Sequence, residues 1–445
     1  MSAARRLIER ILPRGAAILS ILIFGSYLLG LLRDRLFART FGVGPELDAY
    51  NAAFVLPELL LDVLVEAGLA APFIPIFLRL RASRTDPAEA DRFARTILTG
   101  AVTVMGVAAV LMFVFADATT GFIAPGFVGE QRELYASLFR VMLVTPILFA
   151  ASLTLGQVLL AEQRFFWYGL APLLYNAGII VGTIGFGDSL GIYGPAIGAV
   201  IGATIHLGSR FIGLRGSPFR VGLGWEARTT SVNEFVRLML PKAVSHPVEP
   251  ITFLFFTNVA SSLADGSVTV VSYARNFQSV PVSLVGVAFA LAVFPALSTA
   301  HAMGDRRAFL RLLSTNAATI ALFTAVAAVV MLVVGETAIR VLLGGGAFGE
   351  DDVVRTATVL GAFALSVPFE SLTHLLSRAI YATRHTILQV LASLAALGIT
   401  VVATVALLPD LEVVAIPVGF AIGQASKVVL LALGLAIRLR TLRGN

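Results

Sequence analysis

Cysteine is absent from this 445-residue chain. Its absence excludes disulfides, zinc–thiolate sites, iron–sulfur clusters and thiol catalysis. Charge is scarce too: 13% of residues are charged, about half of the roughly 25% usual in soluble domains. Lysine occurs only as Lys242 and Lys427, and neither follows a glycine-rich loop. No G-x-x-x-x-G-K-[ST] and no H-E-x-x-H occurs, which disfavours an ATP-driven pump and a zinc hydrolase. Gly344-Gly-Gly-Ala-Phe-Gly349 reads as a turn. The five histidines are scattered and no Ser/His/Asp grouping is readable. The expectation is therefore not an enzyme, with no resident cofactor and no metal.

What the chain has in quantity is apolar surface, with 57% hydrophobic residues. Such a chain has too few polar groups to cover itself in water, so the bilayer is its expected solvent. A net charge of +6 invites a nucleic-acid reading. The basic residues, however, fall in short loops between apolar runs, as membrane topology requires. Neither nucleic acid nor ATP is expected as a partner. Arg5, Arg6, Arg10 and Arg14 precede an apolar run that is long and lacks a small-residue cleavage site. That run is read as a first span and not as a signal peptide.

Taking about 20 apolar residues per span, twelve candidates emerge near 14–38, 47–78, 95–116, 134–160, 167–187, 190–209, 233–262, 268–299, 312–334, 354–381, 386–408 and 412–437. The second carries Pro57, Pro72 and Pro75; the seventh carries Pro241, Pro247 and Pro250. Each proline frees a carbonyl that must be satisfied by a neighbour or a wet cavity. Arginine-rich loops alternate with short or acidic ones, and the positive-inside rule places both termini in the cytoplasm. The first outer loop, with Arg33, Arg35 and Arg39, is the exception.

An internal repeat runs through the chain at an offset of about 215–225 residues, a length scale set by six spans. Phe93-Ala-Arg-Thr-Ile-Leu-Thr matches Phe309-Leu-Arg-Leu-Leu-Ser-Thr, and Pro125-Gly-Phe-Val-Gly-Glu matches Gly346-Ala-Phe-Gly-Glu. Pro146 corresponds to Pro368, and Tyr50/Phe54 to Tyr273/Phe277. The fold expected is all-α and polytopic, with two pseudo-symmetric six-helix lobes, 1–222 and 223–445, around a central cavity. An even number of spans per repeat makes the repeats parallel.

Ionisable residues inside spans are costly and therefore candidate functional groups. They are Arg33 and Asp34 late in the first span; Asp48, Asp62 and Glu66 on the second; Lys242, His246 and Glu249 on one face of the seventh; Arg275 opening the eighth; and Glu370, His374 and Arg378 along the tenth. They either line an aqueous cavity and hold an anionic head group or a coupling ion, or pair internally and lock helices together. The Phe165-Phe-Trp-Tyr168 cluster at a span edge reads as an interfacial anchor.

Residues Leu29-Gly-Leu-Leu-Arg33-Asp34, Ala38-Arg-Thr-Phe41-Gly-Val-Gly44, Asp48-Ala49, Ala53-Phe54-x-x-Pro57, Glu66 and Phe73-Ile-Pro75 resemble the N-terminal signature of the MurJ/MviN lipid II flippase family. That family lies within the multidrug/oligosaccharidyl-lipid/polysaccharide exporter superfamily. The resemblance continues through Ala124-Pro-Gly-Phe127, Arg164-Phe165, Ala274 to Pro281, and Phe294-Pro-Ala-Leu-Ser298. It implies a two-lobed alternating-access flippase in the bacterial cytoplasmic membrane, acting on a lipid-linked peptidoglycan precursor; a monomer is one expectation, which the sequence leaves open. Drive would come from Na+, H+ or the membrane potential. Under that reading, Arg33, Lys242 and Arg275 are the expected pyrophosphate contacts, since cations grip pyrophosphate, with Lys242 supplying replacement charge. Asp34, Asp48, Asp62 and Glu66 would act in gating or structure. Glu249, Glu370 and His374 would be candidates for ion coupling.

This sequence departs from the family at several points. Tyr27 stands where the family has the first of two first-helix arginines, and Asp62 where it has a second-helix arginine. The family's A-D-R-x-x-E reads Ala274-Arg275-Asn276-Phe277-Gln278-Ser279, and its terminal helix pair is not found. Two rival readings are an exporter of small amphipathic cations, which needs a net acidic cavity, and a non-transporting scaffold of envelope synthesis, which needs internally paired charges.

Overall fold

The computed structural model describes residues 14–63, 67–83, 86–245, 248–383 and 385–441. Among them the chain is helical, and the sole β feature is an isolated bridge between Gly345 and Phe348. Cα packing divides the chain into two compact units. The first comprises Met1–Phe41 and Pro45–Leu254; the second comprises Gly42–Gly44 and Phe255–Asn445.

The first unit begins with α1 (Arg14–Phe41), α2 (Pro45–Leu61), α3 (Ala67–Arg81) and α4 (Glu89–Val114). It continues through α5 (Ala116–Ile123), α6 (Gly129–Met142), α7 (Val144–Ala161), α8 (Phe165–Leu190), α9 (Tyr193–Gly213) and α10 (Thr230–Ser245). The stretch expected as one second span is thus two helices, α2 and α3, with Pro57 inside one and Pro72 and Pro75 inside the other. Helices α3, α4 and α7 share one aromatic-rich core, in which Phe73, Phe77 and Phe93 stack closely. Helix α10, which the repeat assigns to the second half, packs against α3.

Helix α11 (Val248–Ser261) leads into the second unit. There follow α12 (Ser267–Pro281), a π-helical segment (Val282–Val287), α13 (Ala288–Ala302) and α14 (Arg306–Leu342). The unit closes with α15 (Glu350–Ala364), α16 (Val367–Ala382), α17 (Thr386–Leu411) and α18 (Ala415–Thr441). Pro281 has no N–H for the carbonyl one turn back, and the ladder widens into the π segment directly after it. Pro368 in the first turn of α16 disfavours helical backbone before it, and α15 and α16 meet at a bend of 42°.

Seven helical stretches are long and apolar enough to cross a membrane, and an eighth follows if the bent α15–α16 pair is one span. The last stretch, Thr386–Leu439, is a hairpin: α17 and α18 reverse at Glu412, which has φ 47°, and pack on each other. The expected count of twelve is not reached by this criterion among the described residues. The missing candidates include the proline-broken stretches, where no single helix keeps a bilayer's length.

The repeat has counterparts in packing. Phe93 and Phe309 are both buried in the first turns of the long helices α4 and α14. Phe127 and Phe348 are both buried in the loops that lead into the next repeat-matched helices, α6 and α15. Pro146 and Pro368 both lie in the first turn of a helix, α7 and α16.

Candidate functional site

Each unit holds its own arginine–carboxylate cluster, part-buried in the first and buried in the second. In the first, the Arg33 guanidinium donates through Nε (3.0 Å) and Nη2 (2.8 Å) to Asp34 Oδ1. Its Nη1 donates to Asn176 Oδ1 on α8 at 3.3 Å, and Asn176 Nδ2 in turn donates to Ser26 Oγ at 3.3 Å. Adjacent residues on a helix diverge by about 100°, so Asp34 meets Arg33 only because the long arginine side chain folds back. Arg33 also lies 6.0 Å from the Phe37 ring centroid. Asp48, in the first turn of α2, is buried. An acidic residue there complements the positive end of the helix dipole. Asp62 is half-buried just beyond α2.

In the second unit, Arg275 on α12 grips Glu370 on α16 in a fork: Nη2 to Oε1 at 2.7 Å and Nη1 to Oε2 at 3.0 Å. Gln278 lies one turn beyond Arg275. It accepts from the same guanidinium, and its Nε2 donates to Glu370 Oε2 (2.8 Å) and Ser366 Oγ (3.1 Å). The Arg275 guanidinium lies 5.3 Å from the Phe420 ring centroid on α18. The side chains are 12% and 5% exposed, so each charge depends on the other to offset its desolvation. Gly286 permits this closeness. A Cβ there would sit 2.7 Å from Ser371 Cα, so a glycine lets the π segment rest on α16 next to Glu370.

The remaining sequence candidates divide plainly. His374 is half-buried one turn beyond Glu370, and Arg378 lies 5.8 Å from the Phe294 ring. Glu249 is exposed in the first turn of α11. Lys242 lies on α10, but its side chain, like Glu66 and His246, falls outside the described residues.

One buried cation was not expected within a span. Arg210 on α9, 1% exposed, lies one residue beyond the sixth expected span, 190–209. Its Nη1 donates to the carbonyls of Trp167 and Tyr168, both at 2.9 Å, and its Nε to Ser152 Oγ at 3.3 Å. Pro172 lacks the N–H that would have bonded the Tyr168 carbonyl, so Arg210 satisfies what that proline frees. Its role is thereby structural. The signal was available as Pro172 four residues after Tyr168. A second feature, the close contact of α8 and α9, was legible as Gly194-x3-Gly198-x3-Gly202, the small-residue spacing that lets helices approach in lipid. In the loop before α4, the Asp86 carboxyl is held below its ordinary range by its hydrogen bond to Arg92.

Helices of bilayer length, broken at prolines and carrying inward-held arginine–carboxylate pairs, define a polytopic membrane protein. The chain belongs to the lipid II flippase MurJ family, whose profile matches residues 37–445. It is 29% identical to the "Probable lipid II flippase MurJ" of Thermotoga maritima over 81% of this chain and 72% of that one. It is 24% identical to the "Lipid II flippase MurJ" of Burkholderia cenocepacia over 93% and 81%. Among solved structures, an inward closed conformation of lipid II flippase MurJ superposes with a TM-score of 0.82, at 24% identity, over 94% of this chain and 87% of that one. An inward-facing multidrug resistance MATE family transporter superposes with a TM-score of 0.80 at 16% identity, over 94% and 95%. Likeness at those identities speaks to the fold alone.

Proposed function

We propose that this protein flips lipid II, an undecaprenyl-pyrophosphate-linked peptidoglycan precursor, across the bacterial cytoplasmic membrane by alternating access. The observation that carries the reading is the family match over residues 37–445. The alternation of arginine-rich and acidic loops supports cytoplasmic termini under the positive-inside rule. The repeat reads as two halves, 1–222 and 223–445. No covalent step is needed, and the work is transfer of a charged head group past lipid.

The buried pairs give this reading a mechanism. A pyrophosphate offers the same fork-matched oxygens as a carboxylate. In the absence of substrate, Asp34 and Glu370 would hold Arg33 and Arg275 as counter-ions. On binding, the head group would take over the guanidinium groups, with Lys242 adding charge. Glu370, once released, could accept a proton or attract a cation, with His374 beside it and Glu249 further off. Coupling to H+, Na+ or the membrane potential would then follow from the same exchange. The cation-exporter reading gains no support, since the likeness to multidrug transporters is one of fold.

Complementation tests the proposal. A bacterium depleted of its own lipid II flippase should grow when this chain is expressed and inserted. Growth should fail with Arg33→Ala, Lys242→Ala or Arg275→Ala at equal membrane abundance. Absence of rescue by a well-inserted wild-type chain would refute lipid II as substrate.

A further inference from the structure

The segment joining α9 to α10 is stitched along one side of α4. The Arg220 N–H donates to Asp91 Oδ2 (3.2 Å), Gly224 N–H to Thr99 Oγ1 (3.0 Å) and Glu226 N–H to Thr96 Oγ1 (3.0 Å). Arg95 Nε returns a bond to the Arg220 carbonyl at 2.8 Å, and Arg92 pairs with Glu226 at 3.2 Å. Phe219 is buried in the aromatic core beside Phe77. The strap is therefore fixed in place by its backbone and by Phe219.

Held in that way, it turns costly groups outward. Leu223 is 72% and Trp225 64% exposed. Trp225 packs over Gly100, and the same face of α4 continues through Val104, Val107 and Leu111, all more than half exposed on a helix of bilayer length. Trp225 thus caps the end of an exposed apolar stripe, and tryptophan at the end of such a stripe favours a membrane–water boundary. Beside it stand Arg215, Arg220 and Arg228, all exposed, whose side chains have no ion-pair or hydrogen-bond partner among the described residues. The neighbouring Arg79, Arg81, Arg92 and Arg164 each have a carboxylate.

We propose that the strap 215–228 is a membrane-surface anchor, seating Leu223 and Trp225 in the head-group layer and binding anionic phospholipid head groups through Arg215, Arg220 and Arg228. The anchor fixes the end of α4 relative to the bilayer surface, independently of what the protein transports. Each arginine close to an anionic surface shifts such an equilibrium by about fivefold, and three by on the order of a hundredfold.

The chain has two tryptophans, Trp167 and Trp225, which makes the test direct. The Trp167→Phe variant reports Trp225 alone; should it not fold, the difference between wild type and Trp225→Phe gives the same signal. The protein is reconstituted in phosphatidylcholine vesicles, with and without phosphatidylglycerol, using acyl chains brominated near the head group. Trp225 emission should be quenched by the brominated lipid, more strongly with phosphatidylglycerol. The added quenching should vanish in Arg215→Gln/Arg220→Gln/Arg228→Gln and at high salt. Quenching by aqueous iodide but not by brominated lipid would overturn the anchor. Equal quenching with and without phosphatidylglycerol would overturn the recognition of anionic head groups.

Discussion

Arg275 and Glu370, 95 residues apart in sequence, meet fork to fork at 2.7 and 3.0 Å in the interior of the second unit. Removing one partner strands the other. Glu370→Ala should destabilise the purified protein by about 3–5 kcal/mol, whereas Arg275→Met/Glu370→Leu should recover most of that loss. Thermal unfolding in detergent measures both. The double variant should still fail to support growth, since the charge for the substrate is gone.

Arg210 and Pro172 form a compensating pair. Arg210→Met should cost about 2–3 kcal/mol by leaving the Tyr168 carbonyl bare in a dry environment. Pro172→Ala supplies an N–H to that carbonyl. The double variant should therefore be more stable than Arg210→Met alone, a non-additivity readable in a thermal double-mutant cycle. Strict additivity would mean that the arginine answers a different need.

Helix contact in lipid depends on small residues. A Cβ at Gly182 would collide with the backbone of α9 at Gly198, whereas a Cβ at Gly185 on the same helix meets nothing. Gly182→Ala should destabilise by about 1–3 kcal/mol, and Gly185→Ala should be close to neutral. Thermal shift of the two variants side by side checks the contact.

Asn176 holds Arg33 from α8 at 3.3 Å while also reaching Ser26 on α1. Asn176→Ala should cost about 1 kcal/mol and leave Arg33 on Asp34 alone. Growth rescue should be weakened by Asn176→Ala and abolished by Arg33→Ala. Equal and full rescue by both would remove Arg33 from the transport site.

The sequence made some of this legible because the bilayer leaves a strong imprint. Long apolar runs, the loop arginines and the paired Phe93/Phe309 and Phe127/Phe348 positions follow from periodicity and composition. Arg33 and Asp34 are neighbours in sequence, so internal pairing stands as one of the two alternatives the sequence leaves open. Arg275 with Glu370 was not, because one was assigned to substrate and the other to coupling. Their meeting depends on how α12 and α16 pack, aided by Gly286, and no local pattern encodes that. Arg210 sits one residue past the sixth expected span; Pro172 marks a freed carbonyl at Tyr168, but the fold is needed to show that Arg210 reaches it.

On this reading the chain moves lipid II, and Asp34 and Glu370 are counter-ions that its pyrophosphate displaces from Arg33 and Arg275. The most direct measurement is flipping of labelled lipid II in vesicles containing the purified protein, comparing wild type, Arg275→Ala and Glu370→Gln. The account predicts lipid II movement by wild type and none by Arg275→Ala. It also predicts that Glu370→Gln, which keeps the shape but not the charge, binds lipid II more tightly than wild type. A folded wild-type protein that leaves lipid II in place, or a Glu370→Gln variant with unchanged lipid II affinity, would contradict it.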